Sequence, residues 1–216
     1  MPRARTDSEL CLQAQEFEWE KEGLTDAHAY ILPTLARWLT AERVKTVFDL
    51  GCGNGALTHA LAARGFQMTG IDKSLSGLAI AARQYRESEF IRADLETPLP
   101  ENLHHSFDAV IAVEVIEHLL LPRNLFRRAR EALRPGGLLI ITTPYHGLVK
   151  NLALALSNKF DDHWHPLRDY GHVKFFSEKT LTRLFDEQHF EVQRVRRVGR
   201  IPALAKSMIV QGSMLE

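Results

Sequence analysis

The sequence predicts an α/β fold in which a parallel sheet is covered by helices, on three observations. Between residues 44 and 143, short apolar or β-branched runs alternate with stretches of helical periodicity, as in strands joined by crossover helices. Within this region, Val47-Phe48-Asp49-Leu50-Gly51-Cys52-Gly53-Asn54-Gly55 is an apolar run ending in one carboxylate, followed by glycine at every second position. Further on, Pro135-Gly136-Gly137 stops a helical stretch just before another apolar run.

Taken in order, Leu10 to Trp19 and Ala27 to Leu39 have helical patterning and carry Phe17, Trp19, Tyr30 and Trp38. Residues 1–43 therefore read as an N-terminal helical lid or cap, or as helices packed on the sheet edge. The segment 44–216 forms the main domain. Val44 to Leu50 is its first strand and Ala56 to Arg64 the helix after it. Gln67 to Ile71 is the second strand, and Ser76 to Arg86 a helix capped by Ser74 or Ser76. Phe90 to Ala93, Phe107 to Val113 and Leu138 to Thr143 are the third to fifth strands, with a helix over Leu125 to Leu133. An insertion at about 145–172 breaks the rhythm with an apolar helix, Leu148 to Leu156, and a loop through His163-Trp164-His165. The pattern resumes with a helix from Glu178 to Gln188 and strands near Phe190 to Val198 and Ser207 to Gln211.

At 216 residues the chain is long enough for one domain with a substantial core. Lysine plus arginine balances aspartate plus glutamate at 27 each, which gives no global field toward nucleic acid or anionic membrane. The two cysteines, Cys11 and Cys52, offer no disulfide framework and suit a reducing compartment, so a cytoplasmic protein is expected. The first 22 residues are charged and have neither an apolar signal core nor a membrane-length apolar run.

Glycine leaves room for a ligand against bare backbone and tolerates positive φ, and the following helix points its N-terminal amides into the same space. A nucleotide-type pocket follows. Gly51-x-Gly53-x-x-Ala56 with Asp72 downstream satisfies a dinucleotide fingerprint, so an NAD-dependent oxidoreductase must be weighed. Asp49 argues against it, because a carboxylate at that strand end suits a ligand carrying positive charge, such as the ammonium and sulfonium of S-adenosylmethionine.

From Val44 to Val198 the chain resembles the class I S-adenosylmethionine-dependent methyltransferases. The resemblance is carried by the glycine loop, Gly70-Ile71-Asp72, Arg92-Ala93-Asp94-Leu95, Phe107-Asp108-Ala109-Val110 and Leu133-Arg134-Pro135-Gly136-Gly137, in order and suitably spaced. It implies a Rossmann-like, doubly wound, mostly parallel seven-stranded sheet with helices on both faces and an antiparallel last strand. It also implies that the backbone of Gly51, Gly53 and Gly55 lines the cofactor, with Asp49 by its amino group. Asp72 would accept from both ribose hydroxyls, as a bidentate carboxylate suits a diol. Asp94 would accept from the adenine amine, with Leu95 offering a backbone amide. Cys52, Lys73 and Val113 complete the implied cofactor set. Asp108, at the start of a buried strand, is expected to bond local backbone instead.

After the fourth strand comes Glu114-Val115-Ile116-Glu117-His118. On a helix this spacing puts two carboxylates and an imidazole on one face, which suits Mg or another divalent cation, with His172 as a fourth ligand. A metal-free role for the same residues is the competing expectation. This element is similar to one in the ubiquinone-biosynthesis O-methyltransferases, as are Lys150-Asn151 and His172 to Phe175. The small-RNA 2′-O-methyltransferases share a Glu-x-x-Glu-His arrangement used for a divalent ion.

The expected activity is O-methylation of a small-molecule hydroxyl, a phenol or a compound like a quinone precursor. His118, His146 and His172 are the candidate bases, since a phenol must lose its proton near neutral pH. The alternatives are an RNA 2′-O-methyltransferase, suggested by Arg194, Arg196, Arg197 and Arg200, an NAD-dependent oxidoreductase, and a non-catalytic binding module. Leu148, Val149, Leu152, Leu154, Leu156 and Phe160 form either a lid or peripheral membrane contact, or pack on the core or a partner subunit. Monomer and homodimer are both compatible with the sequence.

Overall fold

The computed structural model describes residues 18–164, 167 and 171–215. The elements in chain order are α1 (Asp26–Ala41), β1 (Thr46–Leu50), α2 (Ala56–Ala62), β2 (Gln67–Asp72), α3 (Leu75–Gln84), β3 (Glu89–Arg92) and β4 (Phe107–Val113). They continue with α4 (Arg123–Ala132), β5 (Leu133–Pro144), α5 (Leu148–Leu156), α6 (Phe160–Trp164), α7 (Glu178–Glu187), β6 (Phe190–Val198) and β7 (Ser207–Met214).

The seven strands form one sheet in the order β3-β2-β1-β4-β5-β7-β6. The pairs from β3 through β5 are parallel, and β7 runs antiparallel to both β5 and β6. The strand order reverses at β1 and β4, which opens a crevice at the carboxyl ends of these two strands.

Alternation along the central strands builds two cores. Val47, Ala109, Ile111 and Ile140 face α1 and α2, where Ile31, Leu35, Leu39, Leu57 and Leu61 are fully or almost fully buried. Phe48, Leu50, Val110 and Leu139 face the other way, onto Phe126 of α4 and Phe185 of α7. Helix α1 is therefore a layer of the core through Trp38 and its aliphatic residues. The expected helix over Leu10 to Trp19 lies mostly outside the described residues; Trp19 itself is not helical.

Two boundaries differ from expectation. Helix α4 ends at Ala132, and β5 already begins at Leu133, so Pro135-Gly136-Gly137 forms an irregularity in the strand rather than the helix stop. The register slips there: Phe107 pairs with Leu133 and Ala109 with Leu138, and Gly136 takes φ +72°. In the insertion, Phe160–Trp164 is a helical turn and not a loop, while His165 lies outside the described residues. Asp108 staples β4 to the start of β1, accepting from the backbone amides of Lys45 and Thr46 at 3.0 and 2.9 Å and pairing with Arg134.

Candidate active site

The glycine loop turns at the end of β1 with Gly51, Gly53 and Gly55 all at positive φ, and Gly55 is the N-cap of α2. Its inner wall is closed. A Cβ on Gly51 would stand 2.7 Å from a methyl of Val115, and one on Gly55 2.7 Å from the Cβ of Ala81. Asn54 ties the preceding segment to the loop, its side-chain amide donating to the carbonyls of Lys21 and Gly23 at 2.9 and 3.0 Å. The Trp19 amide donates to Ser76 Oγ, and its ring covers Gly53 so closely that an added Cβ would lie 2.2 Å from Cζ2.

Each expected carboxylate stands at a strand end. Asp49 is buried, accepts from Thr58 Oγ1 at 2.7 Å, and is pushed up to about 7 by burial, with the nearby Asp72 adding to the shift and Thr58 opposing it. Asp72 accepts from the Gly53 amide through one oxygen and from the Ser74 amide through the other, both at 2.8 Å. Burial raises its pKa, and those two amides oppose the rise. The carboxylate is thus held with a fixed orientation beside the glycine loop. Asp94 is half-buried after β3 and accepts from the Glu96 amide at 3.0 Å.

The other members of the expected cofactor set differ in their surroundings. Lys73 is exposed, Leu95 and Val113 are buried in the two cores, and the buried Cys52 points its sulfur toward Gly70. Burial raises the Cys52 thiol well above its ordinary value, which makes it unreactive.

After β4 the expected α-helix is absent. Ile116–His118 makes a single 3-10 turn, and Glu114 precedes it at φ +56°, the left-handed region that a non-glycine residue occupies at a cost of roughly 1–2 kcal/mol. Glu114 is held there by its own amide, which donates to both oxygens of Thr142, and by hydroxyls of Thr142 and Ser207 donating to its two carboxylate oxygens at 2.8 and 3.1 Å. Burial pushes it up to about 7, against those hydroxyls and the Lys150 ammonium. This geometry separates it from the metal set expected from spacing.

Glu117, His118 and His172 do converge, each offering one ligand atom within 4.8 Å of the others. Glu117 is 1% exposed; Oε2 accepts from Thr143 at 3.0 Å, whereas Oε1 lacks a hydrogen-bond partner and lies 3.9 Å from His172 Nε2. Burial raises its pKa well above the ordinary value, and the Glu114 charge adds to this. The backbone of the 171–174 segment is clamped to this turn, because the Glu117 carbonyl accepts from the amides of Val173 and Lys174. His118 Nδ1 lies 3.2 Å from the Gly171 carbonyl, a contact that places the proton on Nδ1. Two imidazoles and one carboxylate suit Zn, Fe or Ni better than Mg, which favours all-oxygen shells.

His146 sits apart, buried between His163 and Phe175, and burial, with the Lys150 charge, lowers its pKa to about 4. His172 instead lines a cavity of about 420 Å³ together with Glu114, Tyr30, Pro144 and Lys150. Sequence reasoning missed Thr142, Thr143 and Ser207, whereas Tyr30 belongs to the helix read as a lid or cap. Thr142 and Thr143 reach the site because β5 pairs beside β4, and Ser207 because β7 returns beside β5; no local pattern announces either.

Comparison with known proteins is consistent with this geometry. The family model described as a methyltransferase domain matches residues 19–195. The ubiquinone biosynthesis O-methyltransferase of Idiomarina loihiensis is 30% identical over 151 residues, covering 68% of this chain and 62% of that relative. The matched stretch is thus somewhat under two thirds of that relative's length. Magnesium protoporphyrin IX methyltransferase from Synechocystis PCC 6803, solved with bound S-adenosylhomocysteine, superposes with a TM-score of 0.65 at 19% identity, covering 85% of this chain and 82% of that one. The 1,6-didemethyltoxoflavin-N1-methyltransferase of Burkholderia thailandensis does so with 0.65 at 18%, covering 88% and 80%. These structures share the fold.

Proposed function

The chain belongs to the class I S-adenosylmethionine-dependent methyltransferases, and from that premise we propose that it methylates a hydroxyl of a small molecule, a phenol resembling a quinone precursor. The observation that carries the reading is the placement of Asp49, Asp72 and Asp94 at the carboxyl ends of three neighbouring strands, with the glycine loop following the first. Asp49 takes the cofactor's ammonium, which relieves the cost of a buried carboxylate. The two oxygens of Asp72, already oriented by Gly53 and Ser74, take the ribose hydroxyls, and Asp94 takes the adenine amine.

The cofactor supplies a methyl group on a sulfonium, whose departing thioether is neutral. The protein's task is to position the acceptor and remove its proton. His172 is the base in this reading: it lines the cavity, and the buried Glu117 carboxyl, with Oε1 3.9 Å from its Nε2, orients the ring. His146 is buried away from that cavity, and its lowered pKa leaves it a weak base. His118 supports the same turn.

A second reading is favoured by the unpartnered Oε1 of Glu117: Glu117, His118 and His172 hold a divalent cation that lowers the pKa of the acceptor hydroxyl. A metal titration separates the two readings, since metal-dependent turnover lost on chelation belongs only to the second.

The RNA alternative has less support, because Arg194 pairs with Glu42 and Arg197 with Glu178, which neutralises part of the β6 arginine run. Salt-dependent retention of RNA in a filter-binding titration would favour it. Exposure of Leu148, Val149, Leu152 and Leu156 on α5 supports a peripheral membrane contact or a subunit contact rather than packing on the core. The direct test of the main reading is transfer of labelled methyl from S-adenosylmethionine to catechol. Turnover falling about 10²–10⁴-fold in His172→Ala is expected; an unchanged rate in that variant contradicts the base assignment.

A further inference from the structure

The cavity beside Glu114 is cationic out of proportion to a chain of zero net charge. Lys150, Lys159, Arg200 and Lys206 all line it, from α5, the segment after it and the β6–β7 connection. Among the described residues that line it, one carboxylate, Glu114, faces them, and Thr142 and Ser207 already engage both of its oxygens. Lys150 is 8% exposed, and its ammonium donates to a neutral acceptor, the Lys206 carbonyl, at 3.3 Å. A buried ammonium with no contacting counterion among the described residues is costly. Burial and the Arg200 guanidinium accordingly lower Lys150 to about 8, with Glu114 opposing. Lys206 lies over the Tyr30 ring, 5.4 Å from its centroid, so one wall is both aromatic and cationic.

We propose that the methyl acceptor carries an acidic group, a carboxylate or phosphate, which Lys150, Lys206, Arg200 and Lys159 seat in this cavity. The inference rests on the methyltransferase reading and specifies its substrate class. At about 420 Å³ the cavity matches a small aromatic acid, and it is concave rather than the extended stripe that a nucleic-acid backbone follows. Glu114 and His172 line the same cavity, so an acid held by these cations lies in the same space as the candidate base.

The test is calorimetric titration of the protein with 3,4-dihydroxybenzoate, with catechol as the neutral match and inorganic phosphate as competitor. The acid is expected to bind at least about tenfold tighter than catechol, to weaken with salt and to be displaced by phosphate. That preference should fall below about threefold in Lys150→Met and in Lys206→Met; the second changes an exposed side chain, so its fold is not at issue. Equal binding of acid and catechol, no binding of either acid or phosphate, or a preference untouched by both substitutions overturns the proposal. So does retention on vesicles of anionic phospholipid that depends on Lys150 without any acid preference in solution, which would assign the cations to a lipid headgroup. S-adenosylhomocysteine is titrated separately: loss of that binding removes the methyltransferase reading, whereas its presence with no acid preference removes only the acidic acceptor.

Discussion

Asp49 is 1% exposed and accepts one hydrogen bond from Thr58, so its charged form carries a desolvation cost. Burial raises its pKa from 3.8 to about 7. Its favourable effect on stability is therefore complete below about pH 4 and is lost as pH rises through about 7. Asp49→Asn keeps an acceptor for Thr58. The ligand-free variant is expected to match the parent near pH 4 and to exceed it above pH 7 by roughly 2–4 kcal/mol in denaturant unfolding. The same shift makes cofactor binding pH-dependent: an ammonium selects ionised Asp49, so S-adenosylhomocysteine affinity should fall as pH drops below about 7 and level off above it. A pH-independent affinity, together with no stability gain in the variant, would contradict the role given to Asp49. Asp72→Ala removes an acceptor from two backbone amides and from the ribose proposed to bind there, and is expected to weaken S-adenosylhomocysteine about 10–100-fold.

At the scale of elements, the glycine loop and the segment over it act as one unit. Asn54 and Ser76 hold residues 19–23, and the Trp19 ring rests where a Cβ of Gly53 would stand. Gly53→Ala brings two penalties, a non-glycine residue at φ +55° and a collision with Trp19. It should shift tryptophan fluorescence and weaken S-adenosylhomocysteine about tenfold or more. Adding Trp19→Ala should remove the collision and leave only the backbone penalty of roughly 1–2 kcal/mol; equal defects in the single and double variants would show that Trp19 does not cover the loop. The turn after β4 was less legible. Glu114, Glu117 and His118 have helical spacing, but Glu114 adopts a left-handed conformation because Thr142 and Ser207 capture its carboxylate, and those partners come from strands distant in sequence.

For the molecule as a whole, alternation and turn chemistry were enough to read the strand order's raw material. Each of the seven strands overlaps the run read as a strand, although β5 begins five residues earlier, at Leu133. The shared edge of Asp49, Asp72 and Asp94 was legible for the same reason, since parallel strands put their carboxyl ends on one edge. The cavity was not. Its walls join α1, α5 and the β6–β7 connection, an assembly made by tertiary packing alone. Nor could periodicity tell which face of α5 is buried: Lys150 faces inward while Leu148 and Leu156 are 83% and 80% exposed. Leu156→Ser should therefore change stability by less than about 0.5 kcal/mol, read by denaturant unfolding, and a loss of several kcal/mol would mean that α5 packs on the core after all. Among the described residues no helix is long and apolar enough to cross a membrane. The most direct test of the central claim is calorimetric titration of this chain and its Asp72→Ala variant with S-adenosylhomocysteine and with NAD. One saturable site for S-adenosylhomocysteine, weakened at least tenfold by the substitution, and no heat with NAD is the expected result; saturable NAD binding, or S-adenosylhomocysteine binding indifferent to Asp72, would contradict it.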